Sequence, residues 1–349
     1  MHSVSSRAHR TLLAALVAAA VAGLAVAAGA GAAGSGTAKA GEVKSSITYG
    51  INNPNYATQL PIYVALDKGY FKQVGIDKVK VITTDNFVAG LVGGSLDLAQ
   101  GDTDQWLTAA YKSKKVTYLG TYRAKEWHIL GVGKDIKKAS DLIGKKVTAG
   151  ERGGRNEFVL KTMLKTLGVN PSKVDFVPLG GGSDARLQAL VNGQVDGAVI
   201  FPRHLKALRQ SGGKAIFQKL AVVPQEGIAT RPDFLAKNRA TVVAFWKATL
   251  KARRYIKNLK HRNAVLKIMR KEKFEIPPDF AALYKTEIDQ LSPDGGLSPA
   301  QMTALVKSEQ QLKIIPSGLN WKKLADFHPL WEAQRSLGMK LDPNPAAVK

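Results

Sequence analysis

The hydrophobic residues of this chain change period as it proceeds, and each change marks an element. Ile47 to Ile51 alternates as a strand and is broken by the polar run Asn52-Asn53-Pro54-Asn55-Tyr56. Leu60 to Lys68 reads as a short helix with Pro61 in its first turn, where proline's missing N–H costs nothing. Val79 to Ile82 alternates again, Phe87 to Val92 is helical, and Leu96 to Gln100 is a strand stopped by Gly101-Asp102-Thr103-Asp104. A helix over Gln105–Lys112 and a strand over Val116–Gly120 complete this unit. A second unit opens at Ile129–Val132. It runs through a strand reaching Val147, a loop Ala149–Arg155, a helix Asn156–Leu167 closed by Gly168, and a strand Val174–Val177. The loop Gly180–Ser183, the helix Asp184–Val191 and the strand Ala198–Phe201, cut off by Pro202, follow. After about Glu226 the pattern is mostly helical, with spans at Thr241–Lys257, Pro277–Gln290 and Ser298–Leu312.

One short pattern occurs in both units. Leu91-Val92-Gly93-Gly94-Ser95-Leu96-Asp97-Leu98-Ala99 returns 99 residues later as Leu190-Val191-Asn192-Gly193-Gln194-Val195-Asp196-Gly197-Ala198. Each copy reads as the end of an apolar helix, a Gly suited to the left-handed conformation, and a strand reached through Asp. Two such units predict two similar α/β lobes with a working cleft between them. Strands alternating with helices early, then helices late, suit a chain that leaves the first lobe, builds the second and returns. The expected division is lobe 1 over 41–124, lobe 2 over 125–224, and the return with C-terminal helices over 225–349. The crossings are read as thin strands near Tyr122–His128 and Leu220–Glu226.

Residues 1–40 are set apart as a signal peptide, with Arg7, His9 and Arg10 before an Ala/Val/Leu/Gly run and an A-x-A pattern at Ala38-Lys39-Ala40. The run is also long enough for a transmembrane anchor. There is no cysteine, which excludes disulfides, a thiol nucleophile, a Cys-ligated metal and a lipid anchor on an N-terminal Cys. The expected location is the periplasm or the medium. The net charge is +24, and setting aside the leader's Arg7, Arg10 and Lys39 leaves +21. Basic and acidic residues are interspersed, and the densest basic stretch, Lys247–Lys273, has helical spacing, so it reads as a solvated helix face and no nucleic-acid groove is expected.

Several of these segments, taken in order, resemble the solute-binding proteins of the nitrate/sulfonate/taurine (SsuA/THI5-like) type, which serve ABC importers. The resemblance begins with Pro61-Ile62-Tyr63-Val64-Ala65-Leu66-Asp67-Lys68-Gly69-Tyr70-Phe71 and Gly75-Ile76. It continues through Leu91–Ala99, Asp141–Val147, Leu164–Val169 with Val174, Ala189–Ala198 and Asp233–Asn238, covering roughly 45 to 260. It implies a two-lobed type II periplasmic-binding fold with the ligand cleft between its lobes. The expected partners are a small-molecule solute and a permease in the cytoplasmic membrane, with the protein a monomer.

Candidate ligand contacts are read from the strand-to-helix loops. Asn55, Tyr56 and Gln59 lie in the first, where the family contacts ligand. Asp102 and Thr103 follow the next strand; Thr103 can donate to a ligand oxygen, whereas Asp102 favours an amine or simply caps a helix. Arg152-Gly153-Gly154-Arg155-Asn156 is the sharpest constellation: glycines let backbone approach, Asn156 can cap a helix, and Arg152 and Arg155 offer bidentate donors to a carboxylate or sulfonate. That loop departs from the Ser/Thr-rich version common in the family. Trp127 can stack on a planar ligand or pack between lobes. Phe201 sits at a strand end beside Arg203, and Glu226 binds an amine or pairs with a neighbouring arginine. The six scattered His residues, His128 among them, show no metal spacing, and Gly180–Ser183 lacks the Lys-Ser/Thr ending of a phosphate loop. No metal or cofactor is expected.

The leading expectation is a non-enzymatic binder of a small organic, anionic or zwitterionic molecule. The alternative is an enzyme on the same fold related to thiamine-pyrimidine synthesis, against which stand the leader and the lack of the Cys-rich segment those enzymes use. A third reading, an exported polyanion binder, rests on charge alone.

Overall fold

The computed structural model describes residues 41–348, apart from 52–55, 85, 154, 181, 275, 277 and 278 and the side chains of 56–58. The leader, Asn55 and the side chain of Tyr56 lie outside these. The described strands are β1 (Ser46–Ile51), β2 (Lys78–Thr83), β3 (Leu98–Asp102), β4 (Thr117–Val132), β5 (Lys146–Thr148), β6 (Asp175–Phe176), β7 (Gly197–Ile200) and β8 (Lys214–Thr230). The α-helices that pack on them are α1 (Tyr56–Asp67), α2 (Phe87–Val92), α3 (Thr103–Ser113), α4 (Arg155–Thr166), α5 (Gly182–Val191) and α6 (Leu205–Gln210). From the helical second part come α7 (Pro232–Lys237), α8 (Arg239–Lys257), α9 (Arg262–Lys271), α10 (Phe280–Ile288), α11 (Pro299–Gln311) and α12 (His328–Ser336). Among the described residues, no helix is long and apolar enough to cross a membrane.

One sheet runs in the order β2-β1-β3-β8-β4-β7-β5-β6. Its outer strands are parallel triples, β2 with β1 and β3 on one side, and β6 with β5 and β7 on the other. They meet through β8 and β4, which are antiparallel to each other and to their outer neighbours. Both middle strands are far longer than the pattern suggests. Val116–Gly120 and Ile129–Val132, read as separate strands, are the two ends of β4, which runs on through the first crossing, and the second crossing, read as a thin strand over Leu220–Glu226, lies within the longer β8. Shifts of register at Tyr118/Gly120, Thr121/Arg123 and Arg123/Lys125 interrupt the alternation from which a strand is read.

The repeated pattern has one structural meaning in both halves. Gly94 and Gly193 take φ of +85° and +70°, which glycine adopts without strain. The following Asp residues each close a small ring with the adjacent parallel strand. Asp97 N–H donates to the Thr48 carbonyl, and Thr48 N–H donates to the Asp97 carboxylate at 2.8 Å. Asp196 N–H donates to the Lys146 carbonyl, and Lys146 N–H to the Asp196 carboxylate at 3.0 Å. Because Leu96 and Asp97 build this turn, the strand begins at Leu98, two residues later than expected. Asp97→Ala leaves the Thr48 amide without its acceptor, so it should lower unfolding free energy by about 1–3 kcal/mol; urea denaturation reads this out.

The first helix begins at Tyr56 instead of Leu60, so Pro61 lies beyond its first turn and one intrahelical bond is given up there. The basic stretch also holds an exception to the solvated-face reading. Arg253 of α8 is wholly buried, donates from Nη1 to the carbonyls of Thr121 and Ser292 at 3.1 Å each, and lies 4.9 Å over the Tyr122 ring. Apolar clusters cover both faces of the second parallel triple: Leu130, Val147 and Val199 belong to one, Ile129, Ala198 and Ile200 to the other. This is what a parallel sheet requires. The larger core runs from Ile47 to Ala333 and joins β1–β3 to the late helices.

Candidate functional site

Polar side chains that would be costly to bury alone converge where β3, β8 and β4 lie side by side. Asp102 is in register with Glu226 on β8, and Glu226 with Arg123 on β4, so three charges form a row across the sheet. Arg123 donates from Nη1 to Glu226 Oε1 at 2.9 Å and from Nη2 to Gln290 Oε1 at 2.6 Å. The other Glu226 oxygen accepts from Gln100 Nε2 at 2.8 Å, and Gln100 Oε1 accepts from the Tyr49 hydroxyl at 3.1 Å. Burial works against the Arg123 charge, but Glu226 and Glu126 outweigh it and raise its pKa.

A second group joins this row. Arg155, the first residue of α4, donates from Nη2 to Glu126 Oε2 at 3.2 Å, and its Nε lies 3.8 Å from Glu309 Oε1 on α11. His128 Nε2 is 3.4 Å from Glu126. Glu126 is buried, which raises a carboxyl pKa, yet Arg155 and His128 pull it down to about 2. Asp102 and Glu309 go the other way. Burial and the nearby Glu226 and Asp104 push Asp102 up to about 7, and burial with Asp104 pushes Glu309 up to about 8, each only partly relieved by Arg155.

These shifts have a consequence for stability. At pH 7 the folded protein still holds part of the Asp102 proton and most of the Glu309 proton, which the unfolded chain has released near pH 4, and it gives them up by about pH 8.5. Stability should therefore fall as pH rises through that window, by about 1–2 kcal/mol. His204, held down to about 4 mainly by burial, is neutral in the folded state there, and Glu126 is ionised in both states. Urea midpoints at the two pH values measure the fall, and Glu309→Gln should flatten it.

Two hollows adjoin Arg155. One, of about 280 Å³, is polar and lies among Gly150, Asn156, Gly182 and Arg186, at the starts of α4 and α5. The other, of about 170 Å³, is walled by His128, Phe158, Val222, Leu305 and Glu309. A larger hollow of about 650 Å³ beside Lys114, Arg239 and Lys323 touches none of the candidate residues.

The structure thus brings together Asp102, Arg155 and Glu226 of the sequence candidates, with Asn156 on the rim of the polar hollow. Glu226 pairs with an arginine, as one of its two readings had it. Asp102 precedes α3 but makes no side-chain capping bond, and Asn156 is no cap because α4 already begins at Arg155. Thr103 is wholly buried beside Tyr118. Gln59 is 1% exposed, and neither atom of its amide has a hydrogen-bond partner among the described residues. Trp127 is on the packing side of its alternatives: it lies against the Ile129 cluster and donates from Nε1 to the Thr286 carbonyl at 3.3 Å. Arg152 turns away, donating to the Phe176 carbonyl at 2.9 Å and stacking on its ring. Gly153 is exposed and its N–H binds Glu157. Phe201 is half-buried under Arg203. The sequence reading missed Gln100, Arg123, Glu126 and Glu309. Gln100 carries the one local signal, a polar residue two before Asp102 in an apolar strand.

A family model described as NMT1/THI5 like matches residues 55–260, more than half of the chain. YtlA of Bacillus subtilis strain 168 is 24% identical over 216 residues, 57% of this chain and 62% of that protein. The chain spans 62% and 35% of the length of two curated relatives it matches. The periplasmic sulfonate-binding protein SsuA of Methylobacillus flagellatus KT superposes with a TM-score of 0.66 at 16% identity, over 85% of this chain and 96% of that one. The periplasmic nitrate-binding protein NrtA of Synechocystis PCC 6803 does so with 0.64 at 15% identity, over 88% and 91%. Together these fix the fold as the two-lobed α/β fold of periplasmic binding proteins, and by the match over residues 55–260 the chain belongs to the NMT1/THI5-like family.

Proposed function

We propose that this protein captures a small polar organic solute between its two lobes and delivers it to an ABC importer in the cytoplasmic membrane. The observation that carries the reading is the charged cluster astride β4 and β8, where the two parallel triples of the sheet meet. It joins Arg155 of α4 to Glu126 of the crossing and Glu309 of α11, so a solute seated there touches both sides of the molecule. Closure about such a crossing buries the solute and changes the surface that a permease meets. The neighbours' names, a sulfonate-binding and a nitrate-binding protein, support capture for uptake over catalysis. On this reading lobe 1 is 41–124 with the return 225–349, lobe 2 is 125–224, and the protein works as a monomer outside the cytoplasm after removal of residues 1–40. The ligand contacts are Gln59, Asp102, Arg155, Asn156 and Glu226, with Asn55 and Tyr56 from the first loop.

A thermal-shift screen of the purified, ligand-stripped protein against sulfonates, carboxylates, amino acids, amines and thiamine precursors tests this. A true solute at about 100 times its Kd adds about 2.7 kcal/mol to the folded state, a shift of several degrees that survives added salt. Stabilisation by heparin alone, lost at higher salt, would replace uptake with polyanion binding.

A further inference from the structure

The geometry points to a cationic nitrogen on the solute, an ammonium or a protonated ring or amidine, held by Asp102, Asp104 and Glu309 at the Arg155 end of the cluster. The inference rests on the solute-binding reading and names the charge that reading leaves open.

The charges do not balance within the protein. The acids facing this region are Asp102 of β3, Asp104 of α3, Glu126 of β4, Glu226 of β8, Glu287 of α10 and Glu309 of α11; the bases are Arg123 and Arg155, with His128, Arg186 (toward Glu126) and Arg203 (toward Glu287) at the margin. Arg123 is taken up by Glu226 and Gln290, and Arg155 by Glu126. That leaves Asp102 and Asp104, at the end of a strand and the start of a helix, without a basic side chain in ion-pair contact among the described residues. In a chain of net charge +24, such a concentration of acid is not a by-product of composition.

Glu309 supplies the independent observation. It comes from α11 within electrostatic reach of Asp102 and Asp104, is 1% exposed, and among the described residues neither of its carboxylate oxygens has a hydrogen-bond partner. The nearest cation is Arg155 Nε at 3.8 Å, and that guanidinium already donates to Glu126. A carboxyl buried without donors is costly to keep ionised. Glu309 nevertheless lines a hollow of about 170 Å³ whose other walls are largely apolar, among them Phe158, Val222 and Leu305. A nitrogen cation with a short apolar body satisfies both features: its N–H groups serve the unbonded oxygens, and its carbon atoms fill the hollow. Without a cation there, protons would relieve the like charges instead, in line with the upward pKa shifts of Asp102 and Glu309. A bound cation that keeps its own proton through this range, as an alkylammonium or amidinium does, displaces those protons, so its affinity rises from pH 6 to 8.5. A carboxylate or sulfonate at the other end of the same solute has Asn156 and Arg186 within the polar hollow across Arg155.

Matched pairs of compounds test this by calorimetry at pH 6 and 8.5: taurine against ethanesulfonate, 4-aminobutyrate against butyrate, and phenethylamine against 3-phenylpropionate. The ammonium-bearing members are expected to bind more tightly at the higher pH and to lose at least tenfold in affinity in Glu309→Gln and Asp102→Asn. Melting curves of the same variants without any compound give a second readout, since removing an unpaired buried charge should raise the transition at pH 8.5. Binding by the anionic members alone, unchanged in both variants, would overturn the cation and leave solute capture standing. No binding by any probe, with both variants less stable than the parent, would overturn both and make these acids structural.

Discussion

Replacing Arg123 by methionine should lower the unfolding free energy by about 3–5 kcal/mol, the cost of stripping one partner from a buried ion pair. Glu226 would stay buried, hydrogen-bonded to Gln100 and directly opposite Asp102 in the sheet, with its 2.9 Å partner gone. Like charges opposite one another on neighbouring strands already oppose pairing, and Arg123 is what offsets them. Gln290 would also lose the donor that ties the chain after α10 to β4. Because apolar replacement of a whole buried pair is often neutral, the double variant Arg123→Met/Glu226→Met should recover much of the loss. Urea denaturation of the two single variants and the double variant gives the coupling. A single variant as stable as the parent would show that the pair is solvated.

Gly120→Ala is the second substitution expected to have a large effect, about 3 kcal/mol or more. Gly120 has φ of +150°, and a Cβ there would stand 2.8 Å from the Gly295 carbonyl oxygen, 3.0 Å from the Trp246 ring and 3.1 Å from Leu330. The first of these is backbone and cannot swing aside. It cannot retreat cheaply either, because the Gly295 carbonyl accepts from Thr121 N–H at 2.7 Å. Two further bonds, Ser292 N–H to the Tyr122 carbonyl and Ala124 N–H to the Gln290 carbonyl, lay residues 290–295 along the free edge of β4. The melting temperature of the alanine variant measures the cost; a change within a degree would mean that this edge can open without loss.

These two residues also show what was legible from sequence. The repeated Gly-x-x-Asp pattern was readable because its chemistry is local: one residue turns the chain, and another three positions on binds the neighbouring strand. The order of strands and helices up to Phe201, apart from β4 being read in pieces, followed from periodicity for the same reason. Arg123 carried no such mark. It is one of 51 basic residues, and its partners stand 103 and 167 positions away. Glu309, in a helix read correctly as a helix, likewise gains meaning only from an Arg155 that lies in another part of the fold. Arg152 and Arg155 could not be separated in advance, since their difference lies in which way each side chain leaves its loop. Only the Leu220–Glu226 part of β8 was read as a strand, because bulged pairing with β4 lets Lys214–Gln225 mix polar and apolar residues without a clean period of two.

The order of segments along the chain sets when each half can be completed during synthesis. The apolar clusters around β5 and β7 draw on residues Trp127 to Phe217 alone, an uninterrupted stretch that has every member it needs once that length is made. The other core needs Ile47 and Ala333 together, so it cannot close until nearly the last helix has been synthesised. Contacts so distant in sequence form slowly, because a long loop must close before they gain anything. A growing chain halted anywhere between residues 230 and 330 therefore has one finished half and one that exposes the apolar faces of β1 and β3. In such a chain β1, made before every other described strand, is among the last to be buried.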